Sequence, residues 1–488
     1  MAQAKGVIPR GEDKELLYRN PQTCGYFILA KLDPALDRAG FEALLGSLDQ
    51  LIAALVEREA PEAGAEKGRK VAAVAVGLAP SLFASDRFTP PLIEPAGFRT
   101  IAPSGSELPE VAMPMPYDVA PLSEAPRAEA DVLFYVASTM EARVNRFLSD
   151  LASLPSVKAL DLERGYQRLD GTEPFGYKDG LRNIKSSERS TKVFVHRDEH
   201  HLEEPRWADG GSYLAYMRIT QHPEVFAALA DDPARDAVIG RLKNENGDRV
   251  DLAGQGIDPH EEPSTPPQPS SGHVGKVGPR GIHDDTEIYR RGMPFVETTE
   301  GRLRVGLQFA SFQASLDQFD VIFNDWAMNP SFPSPEVGRD TLLDPSKGHV
   351  SFEKVGFFFV PPYEPEGLAV ALLRPESTTG KPRTGQLVVR KRVSDPSDPS
   401  KRFERAGFGF QIFDSNEQAV GGEFKTDSTG RALAPEELPI DATYTLRELS
   451  SPFGDKTPLQ SVTFTMDHPH KEIAIENKFT EPHTGYGG

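Results

Sequence analysis

Phe175-Gly176-Tyr177-Lys178-Asp179-Gly180-Leu181-Arg182-Asn183 is the first of two segments on which the reading of this chain turns. The second runs from Gly272-His273-Val274-Gly275-Lys276-Val277-Gly278-Pro279-Arg280 to Tyr289-Arg290-Arg291-Gly292-Met293-Pro294-Phe295. The first places a carboxylate, Asp179, on a turn flanked by Gly176 and Gly180. The second supplies one histidine, His273, and an arginine, Arg290, a short way downstream. Glycines beside Asp179 let the backbone turn tightly and approach a ligand with no Cβ in the way. Such a carboxylate can serve as a general acid–base, an imidazole can ligate a metal, and a fixed guanidinium can stabilise developing negative charge. Arg291 is the alternative should the register be off by one.

Around these segments the chain alternates strand-like and helix-like patterns. Strands are expected at residues 25–32, 71–77 and 131–137, with helices at about 37–59 and 141–154. The pattern then recurs, with strands at 212–219, 302–312 and 357–360 and helices at about 223–243 and 316–328. Two similar α+β halves are expected, about 21–160 and 205–365. The Pro-, Gly- and Ser-rich stretch 244–272 reads as a long loop. From Gly385 to Lys478 the texture changes to short alternating runs separated by turn residues, the pattern of an all-β sandwich. Residues 1–20 read as an arm, 366–384 as a linker and 479–488 as a flexible tail.

The chain has 488 residues, enough for two or three domains. Its 73 acidic residues against 54 Lys and Arg leave a net charge of −19, which disfavours nucleic acid and anionic membrane as partners. No apolar run is expected to span a bilayer. The single cysteine, Cys24, excludes an internal disulfide and a Cys-based metal cluster, and reads as a small buried hydrophobe. His196-Arg-Asp-Glu-His-His201 and His283-Asp284-Asp285 fit no standard zinc spacing and read as solvated loops.

In wording and order the two opening segments resemble the signature of the dye-decolorizing peroxidase family. The match consists of the Gly176–Gly180 turn, of His273 followed by Gly278-Pro279-Arg280, and of Arg290-Arg291-Gly292-Met293-Pro294-Phe295. The strands Gly306-Leu-Gln-Phe-Ala-Ser-Phe-Gln313 and Phe357-Phe-Phe-Val-Pro361 also look like family strands. The resemblance covers roughly residues 20–365. It implies two ferredoxin-like halves of the dimeric α+β barrel type, with haem b held in the second half. It implies His273 as the axial ligand of the haem iron, Asp179 as distal acid–base, and Arg290 as the cation that assists O–O heterolysis. The implied reaction takes hydrogen peroxide and an organic reductant, a dye or phenol, through a ferryl intermediate. Leu307 and Phe309 would give apolar cover on the distal side. An acid behind the proximal histidine is expected near residues 349–353, with Glu353 the candidate. Gly292 stands where one subgroup has asparagine. Trp207, Trp326 and Tyr289 are candidates for relaying electrons to bulky substrates at the surface, with ordinary packing the alternative.

Residues 385–478 resemble the SpaA/Cna-B-like domains of bacterial surface proteins, an immunoglobulin-like sandwich. The resemblance rests on Gly385-Gln-Leu-Val-Val-Arg-Lys391, Tyr444-Thr-Leu-Arg-Glu448, Ile475-Glu-Asn477 and the turn Thr426-Asp427-x-x-Gly430. It implies an intramolecular isopeptide bond between Lys391 and Asn477 with Glu448 shuttling protons, since burial favours the neutral amine and the neutral acid. The alternative is an exposed basic strand, Arg390-Lys391-Arg392, and an ordinary surface asparagine. Other readings of the chain remain open: a haem carrier or iron-releasing protein, or a structural or adhesive protein with a non-catalytic α+β half. Homo-oligomerisation and surface attachment through the sandwich are compatible with the sequence. The N-terminus shows no export signal, which points to the cytoplasm by default, whereas the sandwich points to the cell surface.

Overall fold

The computed structural model describes residues 24–57, 72–84, 86–98, 121–166, 172–177, 184, 188–196, 204–240, 242–243, 249–250, 271–278, 286–299, 301–333, 336–362, 367–368, 372, 384–397, 403–466 and 470–482. The arm, Asp179, Gly180, most of the two histidine-rich loops and the side chain of Cys24 lie outside them.

The first half runs β1 (Cys24–Leu32), α1 (Arg38–Val56), β2 (Ala72–Leu78), β3 (Val132–Ser138), α2 (Glu141–Ala152) and β4 (Val157–Tyr166). The second begins with β5 (Ser212–Gln221), two short helices, α3 (Pro223–Ala227) and α4 (Asp232–Ile239), and α5 (His273–Val277). It continues with β6 (Tyr289–Arg290), β7 (Met293–Thr299), β8 (Arg302–Gln313), α6 (Leu316–Asp320) and β9 (Val350–Val360). All nine strands form one sheet in the order β4-β1-β3-β2-β9-β5-β8-β6, with β7 also on β8. Each half therefore repeats one order: last strand, first, third, second. The halves join where Phe359 of β9 meets Leu78 of β2.

The strands are apolar on both faces because both faces are covered. In β1, Tyr26, Ile28 and Leu32 face the helices, while Phe27 and Leu29 face a second core with Tyr135, Tyr216 and Phe312. The sheet curls so that β4 returns against β7. A Cβ on Gly165 would lie 2.8 Å from Met293 Cβ and 3.0 Å from its carbonyl oxygen, so only glycine permits this approach.

Helix α1 starts where the Asp37 side chain accepts from Gly40 N at 2.7 Å, an N-cap. By length and composition alone its 19 residues would be apolar enough to cross a membrane, but its apolar stripe is taken up by the sheet. Phe41, Leu44, Leu45, Leu48, Ile52 and Leu55 are buried on the sheet, the stripe of an amphipathic core helix. Strand β4 escaped the sequence reading because much of it is exposed and polar. The single helix expected at 223–243 is broken where Asp231 caps a new start. That expected at 316–328 changes after Asp320 into a π-helical segment, Val321–Ala327.

The sandwich packs two four-stranded sheets. β10 (Thr384–Ser394) pairs with β13 (Arg431–Leu433), β14 (Leu438–Pro439) and, in parallel, β17 (His470–Lys478). The other sheet runs β12 (Ala419–Lys425), β11 (Gly409–Phe413), β15 (Thr443–Ser450) and β16 (Ser461–Thr465). Two boundaries differ from expectation. Leu368 and Leu372, placed in the linker, are buried in the core of the α+β unit, where Leu368 N donates to Asp49. Phe479, placed in the tail, is buried in the sandwich with its ring 4.6 Å from that of Phe403.

Candidate functional site

His273 opens α5 directly after Gly272. A Cβ on Gly272 would sit 2.5 Å from Ala237 O and 2.6 Å from Gly240 Cα, so glycine is what lets α5 abut the end of α4. Gly240 itself ends α4 with φ +85°, a left-handed C-cap. The His273 Nδ1 donates to Asp340 Oδ2 at 2.7 Å. Asp340 is fully buried, and its Oδ1 accepts from the backbone N–H of Leu342 at 2.9 Å and Leu343 at 3.2 Å. A carboxylate locked in this way fixes the tautomer and leaves Nε2 with its lone pair. One such imidazole suits a metal whose other ligands come from a macrocycle, and among the described residues no cluster of three or more His, Cys, Asp or Glu could hold a bare ion.

The acid behind the histidine is therefore Asp340, and the expectation of Glu353 is corrected. Glu353 accepts from Arg218 Nε at 2.8 Å and from Arg304. Burial pushes its carboxyl up, but the hydrogen bonds from Arg218 and Arg304 outweigh this and hold it below the usual range. Asp340 was missed because one aspartate in Arg339-Asp-Thr-Leu-Leu-Asp344 reads as a turn. The legible clue was an acid placed to cap two apolar residues.

Lys276, one turn after His273, is fully buried. Its Nζ donates to the carbonyls of Asn329 at 2.6 Å, Gly338 at 2.9 Å and Phe332. It ties the loop that leads into Asp340 to the helix that carries His273.

Arg290 lies on β6 opposite Ser311 of β8. Directly opposed residues share a face, and side chains alternate along a strand. Arg290, Leu307 and Phe309 therefore share the helix-covered face, where the Phe309 ring is 6.3 Å from that of Phe319. Arg291 turns to the other core, beside Tyr135 and Tyr289. Burial pulls its pKa down, but the two phenols outweigh that and raise it. The register thus puts Arg290, and not Arg291, on the helix-covered face with Phe309. Gly292 has no room for a side chain, because a Cβ would lie 2.9 Å from Gln308 O and 3.3 Å from Phe309 Cα. Gly292→Ala is expected to cost about 1–3 kcal/mol, read from urea unfolding.

Gly176 has φ +88°, as its turn requires. Glu173 organises that turn: its carboxylate accepts from Phe175 N and Tyr177 N, both at 3.0 Å. Tyr177 then donates to Asp236 of α4 at 2.5 Å, and the Phe175 ring stacks on Phe226 at 4.3 Å. The described part of the Asp179 motif is thus anchored to the helical layer that α5 abuts.

The three relay candidates are buried, so none offers a surface ring. Trp207 is stacked on Phe83 and donates to Ile93 O at 3.0 Å, Trp326 is stacked on Phe332, and Tyr289 lies under Arg189.

In the sandwich, Lys391, Glu448 and Asn477 meet in the core. Lys391 Nζ lies 2.5 Å from Asn477 Oδ1 and 3.0 Å from Glu448 Oε1, and Asn477 Nδ2 donates to the same Glu448 oxygen at 2.8 Å. The Lys391 and Glu448 side chains are inaccessible to solvent, as is Asn477. The Lys391 amine is 4.4 Å from the centre of the Phe408 ring. Burial pushes its pKa down to about 8 against the opposing pull of Glu448. The exposed basic strand is overturned, since Arg390 is also buried.

The family model described as "Dyp-type peroxidase, C-terminal" matches residues 172–364. A deferrochelatase of Yersinia pestis is 28% identical over 148 residues, 29% of this chain and 34% of the relative. The chain thus spans about a third of the length of the curated relatives it matches. A DyP-type peroxidase from Cellulomonas bogoriensis superposes with a TM-score of 0.53 at 19% identity, covering 72% of this chain and 94% of that one. Ferric DtpA from Streptomyces lividans gives 0.54 at 17% identity, covering 76% and 96%. The α+β unit has the fold of these structures.

Proposed function

We propose that this chain is a haem-dependent peroxidase of the dye-decolorizing type, built on two ferredoxin-like halves and reinforced by a covalently locked SpaA-like sandwich. The observation that carries the first part is the hydrogen bond between buried Asp340 and half-buried His273 within the region matched by the peroxidase model. The donor set fits haem b, which would supply the iron at which peroxide is reduced. His273 would hold that iron through its imidazole, which Asp340 keeps basic and oriented. Asp179 would accept a proton from hydrogen peroxide and give it back as the O–O bond breaks. Arg290 would offset the negative charge that builds up there. Leu307 and Phe309 keep the pocket dry, which strengthens both effects. Electrons come from an organic reductant.

Wild-type protein titrated with haem is expected to develop a sharp Soret band that changes on addition of hydrogen peroxide. His273→Ala loses the band. Arg290→Leu keeps it and reacts with peroxide about 100- to 1000-fold more slowly. Equal haem uptake by His273→Ala and wild type would overturn the reading. The similarity to a deferrochelatase supports a second reading, release of iron from haem. Loss of iron without oxidation of a dye would select it.

The sandwich reading rests on the buried Lys391–Glu448–Asn477 geometry. The neutral amine attacks the Asn477 amide carbon, Glu448 carries its proton to the leaving nitrogen, and ammonia departs as the amide bond forms.

A further inference from the structure

Arg390 and Lys391 are neighbours on β10, so their side chains leave opposite faces of the strand. Lys391 enters the sandwich core. Arg390 crosses to the α+β unit and pairs with Asp317 of α6, both largely buried. Arg405 of the sandwich makes the same crossing further along. Its Nη2 donates to Asp320 Oδ2 and to Asp325 Oδ1, both at 2.9 Å, and its Nε lies 2.8 Å from Asp325 Oδ2. The Asp325 side chain is only 1% exposed. Burial pushes the Asp317 carboxyl up, but Arg390 and Arg405 outweigh this and hold it below the usual range.

The π winding of Val321–Ala327 fits this grip. In an α-helix, residues five apart lie about 140° apart around the axis and cannot serve one guanidinium. A π turn, closed between residues five apart, brings them to one side. Asp320 and Asp325 are such a pair.

The far end of the same segment carries the histidine's supports. Ala327 O accepts from Asp340 N at 2.8 Å. Trp326 is stacked on Phe332 at 5.3 Å, and the Asn329 and Phe332 carbonyls receive Lys276. Helix α5 packs directly on the π segment.

We propose that the sandwich clamps the wall behind His273, with Arg405 and Arg390 as positioning residues that hold the π segment and, through it, the Asp340–His273 pair. The functional meaning of this clamp rests on the reading of His273 as the iron ligand; its mechanics do not. Arg390 shares β10 with Lys391, so a Lys391–Asn477 cross-link that stiffens β10 would also stiffen the Arg390 arm of the clamp.

Hydrogen–deuterium exchange on full-length, haem-free protein tests it. In Arg405→Ala, the amides of 271–278 and 320–328 are expected to exchange on the order of tenfold faster or more, since a charge-assisted contact is lost, while those of 24–56 stay as in wild type. Arg405→Lys, which keeps the charge without the fork, should give an intermediate increase. In haem-loaded protein, Arg405→Ala should lower the iron–histidine stretching frequency, which loss of bulk stability alone would not shift. Acceleration confined to the sandwich, or a general acceleration that includes 24–56, would overturn the clamp. Faster exchange at 271–278 together with full haem retention by His273→Ala would uphold the clamp and defeat the haem assignment.

Discussion

Asp340→Asn is expected to lower haem affinity about 10- to 100-fold and to raise the iron reduction potential, the first read by haem titration and the second by spectroelectrochemistry. The reason is a count of acceptors. Asp340 uses Oδ1 for the backbone N–H groups of Leu342 and Leu343, and Oδ2 for His273. An asparagine side chain has one acceptor and one donor group for those two positions. If its oxygen faces the backbone, its amide meets the imidazole as a donor and forces the tautomer whose Nε2 carries the proton. If it flips, two buried backbone N–H groups lose their acceptor, at about 1–3 kcal/mol each. Either arrangement loosens the ligand. Asp340→Glu retains both acceptors but cannot reach both sets of partners from the same backbone, so rescue should be incomplete. Unchanged affinity and potential in Asp340→Asn would mean that His273 does not work through this carboxylate.

If the bond forms, intact wild-type protein is expected to be lighter than its sequence by one ammonia, and Asn477→Ala and Glu448→Gln are expected to have their full sequence mass. The same variants are expected to melt on the order of 20 °C lower in calorimetry of the sandwich transition. A link between Lys391 and Asn477, 86 positions apart, closes a loop large enough to remove about 4–5 kcal/mol of chain entropy from the unfolded state. The pH response separates the linked from the unlinked chain. In Asn477→Ala, Lys391 remains a free amine whose folded pKa, about 8, is below its ordinary 10.5. The unfolded chain then binds the extra proton between these values, so stability rises with pH across that window and falls as pH drops through 8. In a linked wild type the nitrogen would be an amide and this dependence would be gone. A wild-type mass equal to the sequence mass would leave the triad as a plain buried ion pair.

Local patterns made part of this legible. The Gly176 turn, the Gly272-His273 helix start and the alternating runs of the sandwich are dictated by a few adjacent residues and their backbone preferences. The Lys391–Asn477–Glu448 set came from the resemblance to SpaA/Cna-B-like domains and not from strand period, and the fold brings its three side chains within hydrogen-bond distance. The partner of His273 was not legible. Asp340 is 67 positions away and is selected by packing, and Glu353, nearer the expected place, is claimed by arginines on the sheet. The three aromatic relay candidates failed for a similar reason, since a tryptophan looks the same in sequence whether buried or exposed.

Hydrophobic period and turn chemistry act over a few residues, so they made the α+β alternation and the later run of short strands legible, whereas His273 and Arg290 stood out only through the resemblance to a family signature. Tertiary structure alone decided which carboxylate supports His273, why Gly292 has no side chain, and where the sandwich rests. These depend on buried charges finding partners across long chain separations, and an unpaired buried charge is too costly to leave to local preference.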